Sequence, residues 1–229
     1  MNIFAVYILP VEGRQYMAQA MNFVTSYKAN RSSQSHILAV VCNGGDPTDE
    51  QKKIFSGVNC VFMPRSNDGY DIGAYQEFCE MAEEESIGCD IAVFFGTSTY
   101  IKTPIWTKRV AESFEKYGDT MYGCMGNAGD LSVQCYPHIR STAFWMSPSL
   151  MNKYPIKVKS PDGRYAFEHG RNCITSWIVS IKKEPIIVTV NSEYPLNKCD
   201  SIENGFHRGN QSALLAGDRI SMPPFYHTP

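Results

Sequence analysis

A polar segment over residues 65–75 contains the residue types that bind phosphate and sugar groups. It carries three charged residues and two glycines, Arg65, Asp68, Asp71, Gly69 and Gly73. A guanidinium grips phosphate with its planar fork, and glycine lets a backbone approach a ligand closely. A helix that starts at Asp71 would add partial positive charge for an anion. The segment therefore predicts a site for a phosphate-bearing ligand, unless Asp71 is only a helix cap and Arg65 only a surface residue.

A second polar segment follows a short apolar stretch. Residues 91–95 are apolar on both faces, which is typical of a central parallel strand, and the chain then continues with Gly96, Thr97 and Ser98. Ligands of open α/β folds bind at the carboxyl ends of the parallel strands, so we expect both polar segments at one cleft. Tyr7, at the end of the first predicted strand, is expected there as a contact for a nucleotide base, unless it packs as an ordinary strand residue.

The elements that position these segments alternate along the chain. Apolar runs predict strands at 2–9, 36–42, 58–63, 91–95, 120–124, 141–146 and 185–190. Helical spacing predicts helices at 15–28, 48–55, 71–85, 104–117 and 167–182. The β-α-β-α-β order at the front, followed by a mixed half, predicts a three-layer α/β/α fold with a mixed, mainly parallel central sheet. We expect one domain over 1–191 and a tail or lid, 192–229, packed on it.

Composition narrows the class of protein. The chain has 229 residues and a net charge of −2, from 21 basic and 23 acidic residues, so it lacks the strongly basic character of proteins that bind nucleic acid. It has no run of about 18 apolar residues, and we expect no membrane span. Residues 1–9 lack the basic region and cleavage site of a signal peptide and are predicted to be a strand. Eight cysteines without a C-x-x-C pair favour reduced thiols and a cytoplasmic location.

Two motifs resemble a known family of enzymes. Gly-Tyr-Asp-Ile-Gly-Ala-Tyr, at 69–75, and Phe-Phe-Gly-Thr-Ser-Thr-Tyr, at 94–100, are similar to segments of the rhamnan-synthesis F family of polysaccharide glycosyltransferases, which have the GT-A fold. Residues 138–147 and 167–170 resemble further segments in the same order. The similarity spans about residues 60–185. Similar domains occur in glycosylation enzymes of large algal viruses.

The resemblance implies a Rossmann-like GT-A domain that moves a sugar from a nucleoside-diphosphate sugar donor to a hydroxyl of a glycan acceptor, as in polysaccharide biosynthesis. The donor-binding residues would be Tyr7, Arg65, Asp68, Gly69, Asp71, Gly73, Gly96, Thr97 and Ser98. The nucleotide (UDP, GDP or dTDP), the sugar and the stereochemistry stay open. A second interpretation is a catalytically inactive module of the same fold that binds a nucleotide sugar or a glycan.

The chain departs from the GT-A pattern at its fourth strand. In GT-A enzymes that strand usually ends in Asp-x-Asp, whose carboxylates hold Mn²⁺ or Mg²⁺ against the donor pyrophosphate, whereas this chain has Gly-Thr-Ser at 96–98. A hydroxyl is a poor substitute for a carboxylate around a hard cation. Either a metal is held weakly through Ser98, the phosphates and a late histidine, His207, or cationic side chains stabilise the leaving group. The candidate cations are Arg65, Lys102, His207 and Arg208.

An inverting transfer needs a carboxylate that deprotonates the acceptor hydroxyl. Glu168, at an acidic position of the family and just before a predicted helix, is the first candidate, and Asp130, in the loop after the fifth strand, is the second. Glu168 would otherwise be an acid favoured by a helix dipole, or an acceptor contact in a retaining enzyme. His138, Arg140 and Trp145 are expected to face the acceptor, with a core position as the alternative for Trp145.

Overall fold

The structure is a computed structural model that describes residues 1–32, 34–199 and 211–219. Its helices are α1 Gln15–Ala29, α2 Asp49–Ile54, α3 Tyr70–Glu84, α4 Trp106–Tyr117, α5 Pro148–Asn152, α6 Pro161–His169 and α7 Ile174–Ser180. Its strands are β1 Ile3–Pro10, β2 His36–Asn43, β3 Cys60–Arg65, β4 Ile91–Phe95, β5 Tyr100–Ile101, β6 Tyr122–Gly123, β7 Gly126–Asn127, β8 His138–Ile139, β9 Ala143–Met146, β10 Ile186–Val188, β11 Glu193–Pro195 and β12 Ala216–Gly217. Within these described ranges, no helix has the length and apolar character needed to cross a membrane.

One sheet of eight strands forms the centre of the molecule, in the order β11-β10-β6-β9-β4-β1-β2-β3. The neighbours β4, β1, β2 and β3 are parallel, as are β6 and β10. In contrast, β9 runs antiparallel to β4 and β6, and β11 runs antiparallel to β10. Helices cover both faces of the sheet. The predicted three-layer α/β fold with a mixed, mainly parallel sheet is confirmed.

Strand β1 shows why the centre of the sheet is apolar at successive positions. Tyr7 and Leu9 enter the core beneath α1 and α4, whereas Val6 and Ile8 enter the core beneath α3. Successive side chains of a strand point to opposite faces. A strand that is covered on both faces therefore needs apolar residues without interruption, and residues 3–9 are all buried.

The parallel strands end at one edge of the sheet. Pro10 of β1 pairs with Asn43 of β2, and Asn43 pairs with Arg65 of β3. On the other side of β1, Tyr7 lies opposite Phe95, the last residue of β4. The loops that follow these four strands therefore leave the sheet side by side, at the edge where α/β folds bind ligands.

The predicted helix over 167–182 is two helices, α6 and α7. After α6 ends, a Cβ atom at Gly170 would lie 2.9 Å from the carbonyl oxygen of Ala166, so the chain turns where only glycine fits. Cys173 then caps α7 by accepting a hydrogen bond from the N–H of Ser176. Phe167 and Ile174 lie in the same core on either side of the break. The apolar spacing therefore continues across the break, and periodicity alone could not reveal it.

Helix α3 begins one residue earlier than predicted. Its N-cap is Gly69, which has a left-handed backbone with φ of 69° and makes no side-chain cap. Asp71 lies in the first turn, and its Oδ1 accepts a hydrogen bond from the N–H of Ile72 at 3.1 Å. The prediction that Asp71 caps this helix is wrong.

The last described segment, residues 211–219, packs back onto the domain. Strand β12 pairs antiparallel with β5, placing Ala216 opposite Ile101. Leu214 and Leu215 are fully buried in the core beneath α1 and α4. That residues 192–229 act together as a tail or lid stays a prediction.

Candidate functional site

A cleft of about 790 Å³ opens at the carboxyl edge of the parallel strands. Its walls come from the loops after β1, β2, β3 and β4, from the start of α1, from the loop between β8 and β9, from α6 and from the residues after β12. The two polar segments singled out in the sequence, 65–75 and 96–98, both contribute to it. The position of the cleft agrees with the general rule for open α/β sheets.

One wall consists of polar residues that the sequence patterns did not single out. Glu12, Gln15, Tyr16 and Gln19 line the cleft from the end of the β1 loop and the first turns of α1. Asn43, at the end of β2, joins them and is almost completely buried, at 3% exposure. Amides, a phenol ring and a carboxylate on one wall can bind a planar, polar group through stacking and hydrogen bonds.

The floor of the cleft is the turn 96–98. The N–H of Gly96 donates to the carbonyl of Thr142 at 2.9 Å, and the hydroxyl of Thr99 donates to the same carbonyl at 2.8 Å. From the core side, the hydroxyl of Tyr7 donates to the carbonyl of Thr97 at 2.9 Å. The turn is therefore held from both sides. Gly96, Thr97 and Ser98 all line the cleft.

Tyr7 lies beneath this floor and does not line the cleft. Its ring is fully buried and stacks on Phe23 with a centroid distance of 3.9 Å. Burial raises the pKa of its hydroxyl far above the ordinary value, so Tyr7 stays neutral and donates to the floor. The predicted contact with a nucleotide base is corrected to a positioning contact with Thr97.

Arg65 holds the β3–α3 loop and does not face the cleft. Its guanidinium donates to the carboxylate of Glu77 at 2.7 Å, to the side-chain oxygen of Asn43 at 2.8 Å and to the carbonyl of Asp68 at 2.8 Å. Only 5% of its side chain is exposed. Because three of its donors bond within the protein and the side chain does not line the cleft, we correct the predicted phosphate contact to a structural role. Asp68 is an exposed residue whose carboxylate accepts a hydrogen bond from Ser66, and it does not line the cleft.

The two glycines of this segment are needed for packing. A Cβ atom at Gly69 would lie 2.0 Å from the carbonyl oxygen of Val158, and one at Gly73 would lie 2.1 Å from that of Asp68. Both glycines therefore let α3 approach its neighbours, and neither lines the cleft. The residues of this segment that do line it are Asn67, Tyr70 and Asp71.

Asp71 faces the cleft beside Arg164 of α6. Its Oδ1 lies 3.7 Å from Nη1 of Arg164. Burial raises the pKa of Asp71 above its ordinary value, and the negative charge of Glu168 raises it further, whereas the Arg164 guanidinium acts in the opposite direction. Arg164 was missed in the sequence because nothing in its local pattern distinguishes it from a solvated helix residue.

Glu168 lies in the cleft, in the last turn of α6 and not just before a helix as predicted. The helix dipole disfavours a carboxylate at this end, so the predicted alternative of a dipole-favoured acid does not apply. Its Oε1 accepts a hydrogen bond from the N–H of Ser141 at 3.0 Å, and its Oε2 lies 3.8 Å from Nδ1 of His169. Burial lowers the pKa of His169, although the charge of Glu168 opposes this shift.

Arg140 faces Asp218 across the far end of the cleft. Nη2 of Arg140 lies 3.6 Å from Oδ2 of Asp218, and the hydroxyl of Thr142 donates to the same oxygen at 3.2 Å. Within the described part of the chain, Nε of Arg140 is buried without a hydrogen-bond partner. The pairing of β12 with β5 brings Asp218 to this position. The predicted site did not include Asp218, because it follows a stretch without regular periodicity.

Two further predicted residues lie outside the cleft. His138 is buried at 3% exposure, and its Nδ1 bonds to the carbonyl of Tyr136 at 2.7 Å. Trp145 is a core residue, the alternative noted for it, and stacks on Tyr122 at 5.7 Å. Their predicted contacts with an acceptor are corrected, because neither side chain reaches the cleft.

Asp130 is exposed and caps the 3₁₀ turn at Leu131–Val133. It accepts hydrogen bonds from the N–H and the hydroxyl of Ser132 at 2.9 and 2.6 Å, and these bonds lower its pKa. It does not line the cleft, which corrects its prediction as a second base. Among the cations predicted from the sequence, Lys102 donates to the carbonyl of Gln211 at 2.7 Å outside the cleft. His207 and Arg208 lie outside the described residues.

The described side chains do not fit a Mn²⁺ or Mg²⁺ site. The three carboxylates at the centre and far end of the cleft each have a partner: Arg164 for Asp71, the N–H of Ser141 for Glu168, and Thr142 with Arg140 for Asp218. Nowhere in 1–32, 34–199 and 211–219 do three His, Cys, Asp or Glu side chains form a group that could hold a metal ion. The side chain of Ser98, the predicted ligand, offers only a hydroxyl, which is a weak ligand for such cations.

Comparisons with known proteins show similarity at the level of the fold. No protein-family model and no curated protein sequence matches the chain. Many solved structures are similar, and three of them are described here. Residues 1–349 of S. aureus TarS match at 12% identity and a TM-score of 0.48, over 72% of this chain and 53% of that one. An active-site mutant of LgtC matches at 11% identity and a TM-score of 0.42, over 67% and 59%. Mouse xyloside xylosyltransferase 1, in its apo form, matches at 8% identity and a TM-score of 0.47, over 80% and 82%.

The chain spans about half the length of the TarS structure that it matches. Because every TM-score is below 0.5, what the chain does has to follow from its own cleft. The resemblance to the rhamnan-synthesis F family therefore depends only on the motifs that carry it.

Proposed function

We propose that the chain is a glycosyltransferase that moves a sugar from a nucleoside-diphosphate sugar to a hydroxyl of a glycan. The observation that carries this proposal is the placement of Glu168. Its carboxylate is held by the N–H of Ser141 in an unfavourable helix position, and it faces a cleft that two arginines, Arg140 and Arg164, also line. A fixed carboxylate near paired cations suits a reaction in which a proton is removed and an anionic group leaves.

The cleft offers different chemistry at its two ends. The wall at Glu12, Gln15 and Tyr16 carries amide, carboxylate and phenol groups, which suit the base and ribose of a nucleotide. The far end carries the arginines and Glu168, which suit the diphosphate and the reacting sugar. A volume of about 790 Å³ is in the range of ligand sites in proteins.

The proposed chemical step is a single displacement. The oxygen of an acceptor hydroxyl attacks the anomeric carbon, the bond from that carbon to the phosphate oxygen breaks, and the nucleoside diphosphate leaves. Glu168 takes the hydroxyl proton on Oε2, because Oε1 is occupied by the N–H of Ser141. A carboxylate in the cleft with one oxygen held by the protein is suited to this role as general base.

A second candidate is an inactive module that binds a nucleotide sugar or a glycan. The observation that favours it is the floor of the cleft, where Gly96, Thr97 and Ser98 provide no carboxylate after β4. An inactive module would bind donor without releasing nucleoside diphosphate, whereas a transferase would release it faster when an acceptor is present.

The test is a panel of UDP-, GDP- and dTDP-sugars incubated with the chain and oligosaccharide acceptors. Release of nucleoside diphosphate is measured with and without acceptor, and donor affinity is measured by calorimetry. Binding with acceptor-dependent release supports the transferase, and binding without release supports the inactive module. The absence of binding and release across the panel would contradict both candidates.

A further inference from the structure

Two of the arginines that line the cleft come from separate elements, and each lies near one carboxylate, Arg140 near Asp218 and Arg164 near Asp71. Arg140 comes from the loop before β9, and Arg164 comes from α6. Building on the proposed function, we propose that Arg140 and Arg164 bind the diphosphate of the donor and that this binding needs no divalent metal ion. The arginines would then carry out the charge stabilisation that Asp-x-Asp and a metal provide in other GT-A enzymes.

The contacts of Arg140 leave hydrogen-bond donors for a ligand. A guanidinium has five N–H donors in a fixed plane. Nη2 of Arg140 lies 3.6 Å from Asp218, which is longer than a hydrogen bond, and Nε has no partner among the described residues. Asp218 itself is fixed, because only 4% of its side chain is exposed and Thr142 donates to it. The guanidinium is therefore oriented by a neighbouring charge while its donors can still turn to a phosphate oxygen.

Arg164 lines the cleft from α6 and is partly open to solvent. Its guanidinium lies 3.7 Å from the carboxylate of Asp71 and 5.8 Å from the centre of the Tyr70 ring. Half of its side chain, 53%, is exposed, so an incoming anion can reach it without displacing other protein groups. Asp71 and Tyr70 limit where the guanidinium can lie, which lowers the entropy cost of ordering it on a ligand.

The charge balance of the cleft indicates how these arginines act. The lining residues include three arginines, Arg140, Arg164 and Arg219, and four carboxylates, Glu12, Asp71, Glu168 and Asp218, for a net charge of −1. The cleft therefore does not attract a diphosphate by an excess of positive charge. Affinity has to come from directed, charge-assisted hydrogen bonds, which a planar guanidinium forms in pairs with phosphate oxygens.

Among the residues that the structure describes, the cleft offers no set of free ligands for a metal ion. The carboxylates of Asp71, Glu168 and Asp218 already interact with Arg164, Ser141 and the Arg140–Thr142 pair. Hard divalent cations prefer several oxygen ligands, and carboxylates in particular. Recruiting Asp218 to a metal would break its ion pair and leave Arg140, which is only 20% exposed, without that partner, which is costly.

The experiment is a calorimetric titration of the full chain with UDP, GDP and dTDP, each in Mn²⁺ and then in EDTA. We expect one nucleotide to bind with the same dissociation constant in both media. Arg140→Gln and Arg164→Gln are each expected to weaken that binding by about 10- to 100-fold, the loss of one charge-assisted contact. The matched control is Arg171→Gln, which removes an exposed arginine outside the cleft and should leave binding unchanged.

Arg140→Lys is a second variant for the case in which Arg140→Gln does not fold. It keeps the positive charge opposite Asp218 and loses only the planar guanidinium. We expect it to melt like the original chain and to bind more weakly. Loss of binding in EDTA would overturn this inference and leave the proposed function standing. Metal-independent binding that neither arginine variant weakens would also overturn it. If no nucleotide bound in either medium, the proposed function would fail, and this inference with it.

Discussion

Glu168 places a negative charge in the last turn of α6, where the helix dipole does not stabilise it. The last turn of α6 presents backbone carbonyls, so a negative charge is disfavoured there, and the contact that offsets this is the N–H of Ser141 at 3.0 Å. The contact occupies Oε1 and leaves Oε2, which lies 3.8 Å from Nδ1 of His169. A general base has to be held in place, and the carboxylate of Glu168 is held by this hydrogen bond although the helix dipole disfavours its charge.

Replacing Glu168 tests this role directly. Glu168→Gln keeps an oxygen that can accept from the N–H of Ser141 but loses the basic carboxylate. We expect turnover to fall by about 10²- to 10⁴-fold while the affinity for nucleoside diphosphate is largely kept. The measurement is the initial rate of acceptor-dependent nucleoside diphosphate release. Glu84→Gln, on the exposed side of α3, is the control. An unchanged rate in Glu168→Gln would rule out the base.

Asp71 makes the stability of the protein depend on pH. Burial raises its pKa in the folded state above the ordinary value of 3.8, so between these two values the folded state binds more protons than the unfolded state. Stability then falls as pH rises through this window. Asp71→Asn removes the titration. We expect its melting temperature, relative to that of the original chain, to be higher at pH 7 than at pH 4, as measured by thermal melts in both buffers. A difference that shrank with rising pH would contradict the assignment.

At the scale of single elements, the β3–α3 junction shows how packing and site are linked. Gly69 has a left-handed backbone with φ of 69°. Helix α3 also starts so close to the carbonyl of Val158 that a side chain at position 69 would clash with it. This close approach brings Asp71 into the cleft beside Arg164. The glycines that suggested a ligand contact in the sequence therefore position the helix that carries the contact.

Two glycine substitutions separate backbone strain from close packing. At Gly57, with φ of 76°, an added Cβ has only the end of the Lys28 side chain nearby, at 3.8 Å. Gly57→Ala should cost about 1–2 kcal/mol, the penalty of a left-handed alanine. Gly69→Ala should lose the same free energy of unfolding through backbone strain. It should lose about 1–3 kcal/mol more because the new side chain displaces the carbonyl of Val158. Urea unfolding of both variants measures the difference, and equal losses would show that the junction is not tightly packed.

Seven of the eight strands of the main sheet and the longer helices could be predicted from apolar spacing, because burial on one or both faces imposes a period on the sequence. The two- and three-residue strands β5, β7, β8, β11 and β12 were not predicted, since they are too short to show a period. The break between α6 and α7 could not be predicted either, since both helices bury residues in one core. The same limit applies to the site. Asp71, Glu168 and residues 96–98 were predicted because they adjoin periodic elements. Asp218 and Arg164 were not, because only tertiary packing brings them to the cleft.

Residue type alone also misled the prediction for several side chains. Tyr7, His138 and Trp145 have groups that could bind ligands, yet each is almost fully buried with its ring packed against or close to another ring. Arg65 uses its guanidinium for Glu77, Asn43 and the Asp68 carbonyl. Which hydrogen-bond donors remain for a ligand depends on partners that are distant in sequence. The sequence therefore predicts at which edge of the sheet a ligand binds, but not which side chains contact it.

At the scale of the whole molecule, the segment after residue 210 connects the core to the cleft. Leu214 and Leu215 are buried beneath α1 and α4, and three residues later Asp218 faces Arg140. Core packing near the end of the chain therefore fixes the position of a charge in the cleft.

Leu215→Ala tests this connection. The substitution leaves a cavity in a fully buried position and should cost about 2–5 kcal/mol in the free energy of unfolding. It should also weaken nucleotide binding, because Asp218 and Arg140 lose a fixed arrangement. The measurements are urea unfolding and calorimetry, with Leu131→Ala as the control. Leu131 is 67% exposed, so its loss should change stability by no more than about 0.5 kcal/mol. A Leu215→Ala variant that unfolds and binds like the original chain would contradict the connection.

The late position of Asp218 also has a consequence for the order in which the protein is built. All eight strands of the main sheet lie before residue 196, whereas Asp218 follows β12 near the end of the described chain. A polypeptide leaving the ribosome N-terminus first can therefore assemble its sheet before the partner of Arg140 has emerged. The site becomes complete only after the sheet that supports it, so the nascent chain can form its main sheet before it acquires its proposed activity.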